Sequence, residues 1–455
     1  MLVKINYTFL AAFAAGLLAT SGDITMTWTS PIYPKLYSND TSINPLGKPI
    51  TQEEDGWIGS LINIGAMIGP FIFSFIAEKF GRRIGLLCIA IPHITAYITF
   101  AFARNVYLFY FGRLFGGISV GGGYTLLPMY MAEISEDSNR GFLSVSLIFF
   151  WSMGNLLPYA IGPFVSIMVL NLILACIPIS FFIVFLLFGV ETPYYWLKLN
   201  KPRKAQESLM TLRSLDKKGV QKELEHIQKN FKREEGGHFS DIIKNRGLRK
   251  ALIISLLLII FQQLSGVNAV GFYLQSIFEA SGTDIPSDIS SLIYGFAILI
   301  TCFIPIGLVS RFGRRTLHMV SCVGVSLSIV LIGIFFYLHD STDIDINRIS
   351  WLPIFSLLMY VFTFSIGVAV IPWTLSSELF PVNVKQISAS AVSTTCWITS
   401  FIVTKFFNDM NTLMGRAGTF WFFTGCTVVA CVFTIFFVPE TKGKSFREIQ
   451  DLLLT

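Results

Sequence analysis

Long apolar stretches alternate with short polar ones along the whole chain. Residues 56–77, 84–103, 251–278, 289–310, 349–377 and 417–439 contain no Asp, Glu, Lys or Arg. Residues 141–190 contain none either, which is room for two crossings joined by a tight turn. A helix crosses a bilayer with about 20 mostly apolar residues. On that measure the pattern predicts spans near 7–30, 56–77, 84–103, 107–131, 142–164, 168–189, 251–278, 290–309, 317–338, 351–374, 387–408 and 417–438. The expected fold class is an all-α polytopic membrane protein with 12 transmembrane helices. Composition agrees: of 455 residues 53% are hydrophobic and only 14% charged, against about one quarter charged in soluble domains. A soluble enzyme, a secreted scaffold and a disordered chain are excluded. Small residues near Ala19 and Ser21 imitate a signal-cleavage site, but Asp23 lies inside the stretch, which runs on to Trp28 and reads as the first helix.

Charge acquires meaning once it is sorted by loop. Lys79-Phe80-Gly81-Arg82-Arg83, Arg311-Phe312-Gly313-Arg314-Arg315 and the long 191–250 segment, with 15 Lys and Arg against 8 Asp and Glu, fall on one side. The opposite loops carry Asp40, Glu53, Glu54 and Asp55, then Glu279, Asp284 and Asp288, then Asp340, Asp343 and Asp345. The positive-inside rule makes the basic side cytoplasmic, so twelve spans leave both termini inside. Asn39-Asp40-Thr41 is a glycosylation sequon in the first outer loop, in keeping with that orientation. Cysteines 88, 176, 302, 322, 396, 426 and 431 all lie in apolar segments without metal-ligand or disulfide spacing.

The chain repeats itself. Phe80-Gly81-Arg82-Arg83 returns as Phe312-Gly313-Arg314-Arg315, 232 positions on. Pro128, Glu133 and Arg140 return as Pro372, Glu378 and Lys385, with the glutamates 245 apart. Val190-Glu191-Thr192-Pro193 is echoed by Val438-Pro439-Glu440-Thr441, with a glutamate offset of 249. Near-equal offsets joining spans 2 and 8, 4 and 10, and 6 and 12 imply a duplicated six-helix unit. Two pseudo-symmetric six-helix halves with a binding site between them are the major facilitator architecture. The expected division is 1–190 and 251–438 for the halves, 191–250 for a cytoplasmic linker and 439–455 for a short cytoplasmic tail. In the linker Ala205, Leu209 and Leu212, then Val220, Leu224, Ile227 and Phe231, recur at the spacing of short amphipathic helices. No glycine-rich phosphate loop occurs, so ATP drive is disfavoured, and neither a cofactor, a metal nor a nucleic acid is expected.

From Gly56 to Ile449 the ordered motifs resemble those of sugar porters of the major facilitator superfamily, in particular the insect facilitated trehalose/hexose transporter-like branch. They are Phe80-Gly81-Arg82-Arg83, Gly112-Arg113, Pro128-Met129-Tyr130 with Glu133 and Arg140-Gly141, Glu191-Thr192-Pro193, and Gln262-Gln263-Leu264-Ser265-Gly266-Val267-Asn268. Ile371-Pro372-Trp373 with Glu378-Leu379-Phe380-Pro381, and Pro439-Glu440-Thr441-Lys442-Gly443-Lys444, complete the set. The resemblance implies gating ion pairs at the inner helix ends from Arg82, Arg83, Glu133, Arg140 and Glu191, mirrored by Arg314, Arg315, Glu378, Lys385 and Glu440. Exposed pairs suit a gate because each is worth only about 1 kcal/mol or less. It implies sugar binding by Gln262, Gln263 and Asn268, whose amides both donate and accept, with Trp373 and Trp397 as aromatic walls. Ser265-Gly266 between the amides loosens their helix, and Pro372 interrupts span 10.

Several positions depart from the family's pattern. Ile148 and Ile298 stand where it has glutamine and asparagine, Ser365 where it has glutamate, and Ser400 where it has asparagine. Gly367-Val368-Ala369 replaces a Gly-Pro-Gly stretch, Lys79 replaces an arginine, and Ser310 departs in the second copy. The lost hydrogen bonds, each worth about 0.5–1.5 kcal/mol, argue against tight glucose binding and leave room for a disaccharide, a polyol or another hexose. Asp23 in span 1 and Arg113 in span 4 are intramembrane charges, which face a partner or a wet cavity. In proton-linked relatives such a pair couples transport to protons.

The expected function is alternating-access movement of a small sugar across the plasma membrane by a monomer embedded in the lipid bilayer, most simply as a facilitative uniporter. A proton symporter using Asp23 and Arg113 is the alternative. A non-transporting sugar sensor has only residues 439–455 as a tail to signal through, and the scattered His93, His318 and His339 offer no catalytic cluster for an enzyme.

Overall fold

The computed structural model describes residues 7–136, 138–231, 239–282, 285–342, 346–444 and 446–454. Asp284, Asp343 and Asp345 of the outer loops, and the side chain of Phe231, lie outside the described residues. The described residues form helices and no strand: α1 (Tyr7–Thr27), α2 (Thr29–Leu36), α3 (Gln52–Phe80), α4 (Arg82–Ala101), α5 (Val106–Ile134), α6 (Arg140–Ile161), α7 (Ile167–Phe188), α8 (Pro193–Lys198), α9 (Pro202–Arg213) and α10 (Gln221–Phe231). There follow α11 (Phe239–Lys244), α12 (Arg246–Leu264), α13 (Val267–Ser281), α14 (Ser287–Thr301), α15 (Ile304–Arg311), α16 (Arg314–Ser341), α17 (Leu352–Ile366), α18 (Ile371–Glu378), α19 (Val382–Phe437) and α20 (Phe446–Leu454). Ten stretches among the described residues are long and apolar enough to cross a membrane. The glycine-rich Val106–Ile134 is not among them, and one of the ten, the 51-residue Ile387–Phe437, bends at Gly415, whose φ is 73°.

The helices gather into two compact units. One comprises Met1–Thr27, Ser38–Pro49 and Leu61–Glu235; the other comprises Trp28–Tyr37, Ile50–Ser60 and Gly236–Thr455. In the first unit α3 and α5 meet through paired small-residue motifs. A Cβ at Gly65 would stand 2.7 Å from the Ile118 nitrogen, and one at Gly117 would stand 2.9 Å from Ile62 Cα. Such motifs let membrane helices touch backbone to backbone where no hydrophobic drive brings them together. Ala11, Ala15, Leu86, Ile89, Leu126, Tyr130, Phe181 and Phe185 form the core beside this crossing, and Leu212 of α9 joins it.

The linker stripes pack on one another, with Leu197, Ala205, Leu209, Val220, Leu224 and Ile227 in a small core of their own. Arg213 fastens this layer to the bundle. Its guanidinium pairs with Glu223 at 2.6 Å and Glu136 at 3.1 Å and donates to the Ile134 carbonyl at 2.8 Å.

The second unit contains two interrupted crossings. α12 stops at Leu264, and Gly266, at φ 80°, restarts the chain as α13. α17 stops at Ile366 and α18 begins at Ile371, with Pro372 in its first turn, where a missing N–H costs nothing. The C-terminal α20 docks Ile449 and Leu453 into the core formed by Leu375, Leu379 and Val384.

Candidate functional site

The α12–α13 break gathers the sequence-predicted amides in the second unit. Gln262 and Gln263 close α12 and are each 5% exposed. Gln262 Nε2 donates to the carbonyls of Val368 at 2.7 Å and Ala369 at 2.9 Å. Those oxygens belong to the turn that interrupts the neighbouring crossing, so Gln262 caps one broken helix from the end of another. Asn268 Nδ2 donates to Gln263 Oε1 and to Ser400 Oγ, each at 2.6 Å. Gln263 Nε2 in turn reaches Cys396 Sγ at 3.1 Å. Ser265 holds the break itself, with its hydroxyl 2.7 Å from the Gln262 carbonyl and 3.2 Å from the Tyr360 hydroxyl. The two tryptophans separate: Trp373 on α18 is 40% exposed, whereas Trp397 on α19 is buried.

The charge clusters appear twice with the same wiring. In the first unit Glu133 receives Arg82 at 3.1 Å and the Thr192 hydroxyl at 2.5 Å. Glu191 accepts the backbone N–H groups of Arg82 at 2.9 Å and Arg83 at 3.1 Å, the first turn of α4. In the second unit Glu378 receives Arg314 at 2.8 Å and the Thr441 hydroxyl at 2.5 Å. Glu440 accepts the N–H groups of Arg314 at 2.9 Å and Arg315 at 3.2 Å, the first turn of α16. A carboxylate there answers both the unsatisfied donors and the positive end of the helix dipole. The residue before each arginine pair is glycine because a Cβ would strike the carboxylate: Gly81 would place one 2.8 Å from Glu191 Cδ, and Gly313 2.7 Å from Glu440 Cδ.

Burial pushes the Glu191 carboxyl above its ordinary pKa, against the pull of its N–H donors and of Arg82. Arg83 and Arg315 donate instead to the carbonyls of Leu186 and Ile435. Arg140 Nε lies 3.4 Å from Ser135 Oγ, and Lys385 is exposed.

Asp23 is buried in α1, and its carboxylate accepts from Tyr124 at 2.6 Å and from Asn155 Nδ2 at 2.5 Å. Arg113, fully buried, donates to the Thr25 carbonyl at 2.5 Å. The two intramembrane charges thus lie close along α1, but the acid is bonded to neutral donors.

Across residues 8–453 the chain matches the family described as "Sugar (and other) transporter". The chain belongs to this sugar transporter family. Curated relatives include the facilitated trehalose transporter Tret1 of Apis mellifera ligustica, 33% identical over 98% of this chain and 88% of that one. The Tret1 of Polypedilum vanderplanki is 34% identical over 99% and 89%. A partially occluded, inward-open structure of the xylose transporter XylE from E. coli superposes with a TM-score of 0.75 at 23% identity, covering 96% of this chain and 99% of that one. A second XylE structure, described as a major facilitator superfamily proton:xylose symporter, gives 0.71 at 22%. The fold is therefore the major facilitator fold, and the chain is a multi-pass membrane protein of a transporter family.

Sequence reasoning for this sugar transporter missed the neutral partners. Thr192 and Thr441 stand inside motifs already singled out, directly after Glu191 and Glu440, so their repetition was a usable signal. Ser400, at a departure from the family's pattern, still accepts the Asn268 amide. Ser365, at another departure, turns its hydroxyl back to the Val361 carbonyl at 2.8 Å. Tyr124 and Asn155 carried no motif at all.

Proposed function

We propose that this chain is a facilitative sugar uniporter of the plasma membrane, moving trehalose or a hexose by alternating access. The observation that carries the reading is the amide set Gln262, Gln263 and Asn268 assembled on the broken α12–α13 crossing. Irregular backbone at membrane depth is tolerated where it lines a cavity, and amides fixed there suit hydroxyl groups of defined stereochemistry. The printed names of the insect relatives support trehalose as the first sugar to try. Trp373 supplies an exposed aromatic face to the ring and Trp397 backs the amides.

Dividing Ile387–Phe437 at Gly415 and adding Val106–Ile134 to the other stretches gives twelve crossings, with both termini cytoplasmic. The halves are then 1–190 and 251–438, with 191–250 and 439–455 on the cytoplasmic side. The duplicated clusters of Arg82, Glu133 and Glu191 and of Arg314, Glu378 and Glu440, with Arg83, Arg140, Arg315 and Lys385, act as inner gates that loosen into water during the cycle. Asn39, exposed in the first outer loop, is the glycosylation site. The protein works as a monomer, and its activity is transport rather than catalysis.

Uptake of labelled trehalose, hexoses, pentoses and polyols by purified protein in proteoliposomes tests the reading. Saturable uptake of at least one is expected; folded protein that moves none of the panel overturns it.

A further inference from the structure

The turn between α8 and α9 carries a basic patch that neither charge cluster uses. Residues 192–206 hold Lys198, Lys201, Arg203 and Lys204 and no Asp or Glu. Every residue from 198 to 204 is exposed. Lys198 meets Glu78 at 3.6 Å, but the two side chains are 45% and 60% exposed, so solvent screens the pair. Lys201, Arg203 and Lys204 make no ion pair among the described residues.

The backbone holds the patch in shape. The Lys201 N–H donates to the Trp196 carbonyl at 2.9 Å and the Asn200 N–H to that of Leu197 at 3.0 Å. Asn200 takes a left-handed φ of 55°, the way a helix closes on itself. The Lys204 ammonium stands 4.7 Å from the centre of the Trp196 ring and the Lys201 ammonium 6.0 Å from it. Two like charges thus converge on one indole face, and no acid in the turn offsets their repulsion. The second copy is built differently: Lys442, after Glu440, spends its ammonium on the Arg311 carbonyl at 2.6 Å.

The neighbourhood supplies an offsetting charge. α7 ends on the apolar side chains of Leu187 and Phe188, 68% and 44% exposed, as suits a helix leaving the hydrocarbon. Only residues 189–192 separate that end from α8. Tryptophan favours the membrane–water interface, and Trp196 sits on α8 beside Leu199, which is 40% exposed.

We propose that this turn is a docking surface for anionic phospholipid headgroups, with Lys198, Lys201, Arg203 and Lys204 around the headgroup and Trp196 and Leu199 at the acyl border. Basic clusters just beyond a membrane crossing attract acidic lipids, and each cation adds to the attraction. On the orientation proposed above the lipids are those of the cytoplasmic leaflet. The proposal stands independently of the sugar carried.

The test titrates the purified full-length protein, in detergent, with fluorescent phosphatidylserine and phosphatidylcholine of matched acyl chains. Wild type is expected to bind phosphatidylserine about tenfold more tightly at low salt. The preference should shrink at about 1 M salt, where charges are screened within about 3 Å. Changing Lys198, Lys201, Arg203 and Lys204 together to Gln should cut it at least about fivefold. A control changes the exposed Lys217, Lys218 and Lys222, which lie beside Asp216 and Glu223, to Gln; it should keep the preference within about twofold of wild type. Wild type without a preference, or a quadruple variant that loses no more of it than the control, overturns the proposal. So does displacement of the lipid by inorganic phosphate at a comparable concentration, which would make the turn a site for soluble anions. If the quadruple variant does not fold, Lys201→Gln with Lys204→Gln decides by the same comparison with the control.

Discussion

Glu191 and Glu440 show what a single carboxylate does at a helix start. Each holds two backbone N–H groups of the helix that opens with Arg82 or Arg314. Glu191→Gln and Glu440→Gln each keep one acceptor oxygen and lose the charge. Hydrogen bonds to charged groups are worth about 1.5–3 kcal/mol, so both variants should melt several degrees lower in detergent, by similar amounts. A fall in only one would show that the two copies are wired differently. Glu133→Gln and Glu378→Gln weaken the arginine pairs without touching the amide set, so transport rate should change more than equilibrium sugar binding. Equal loss of both, with expression intact, would place these acids in recognition.

The arginines and glutamates were legible because like motifs recur at matched offsets. Which acid each repeated threonine meets was not, since Thr192 meets Glu133 59 residues away and Thr441 meets Glu378 63 away. Only the fold makes such separations short.

At the scale of elements, the apolar blocks predicted most crossings closely. The span expected at 84–103 is the helix Arg82–Ala101, and that at 168–189 is Ile167–Phe188. Local residue chemistry explains the α12–α13 break as well, since Gly266 takes a left-handed φ of 80°. What periodicity could not show is that Gln262, at the end of α12, caps the other break, the turn between α17 and α18, through the Val368 and Ala369 carbonyls. This divides the amides into different roles. Gln262→Leu orphans the buried Val368 carbonyl, at about 1–3 kcal/mol, and the half-buried Ala369 carbonyl, so it should lower the melting temperature and the amount of folded protein. Asn268→Leu should raise the KM for sugar and leave the melting temperature nearer to wild type. Gly266→Ala meets two penalties, about 1–2 kcal/mol for the left-handed backbone and a Cβ 2.8 Å from Phe423 Cδ2. It should be the less stable of Gly266→Ala and Gly271→Ala, because a Cβ at Gly271 meets nothing within 4 Å. Comparable melting curves for the two would mean that α13 can restart without its glycine.

For the whole molecule the open choice is the energy source. Duplication, basic loops and a membrane-crossing chain are common to uniporters and symporters, so none of them decides coupling, and Asp23 does. A proton carrier must change ionisation during the cycle. A neighbouring cation keeps an acid charged, and losing that cation in a dry site lets it protonate. In this structure Asp23 is bonded to Tyr124 and Asn155, while Arg113 donates to the backbone at Thr25. Two neutral donors satisfy the carboxylate without needing a cation to come and go, which fits a fixed acid and uniport. Uptake into proteoliposomes should therefore be indifferent to an inward proton gradient and to a protonophore, and sugar should equilibrate without accumulating. Asp23→Asn, which retains an oxygen for the Tyr124 hydroxyl, should keep uptake within a few-fold of wild type. Accumulation that a protonophore abolishes, together with an Asp23→Asn variant that exchanges sugar but cannot concentrate it, would make Asp23 the proton carrier and the protein a symporter.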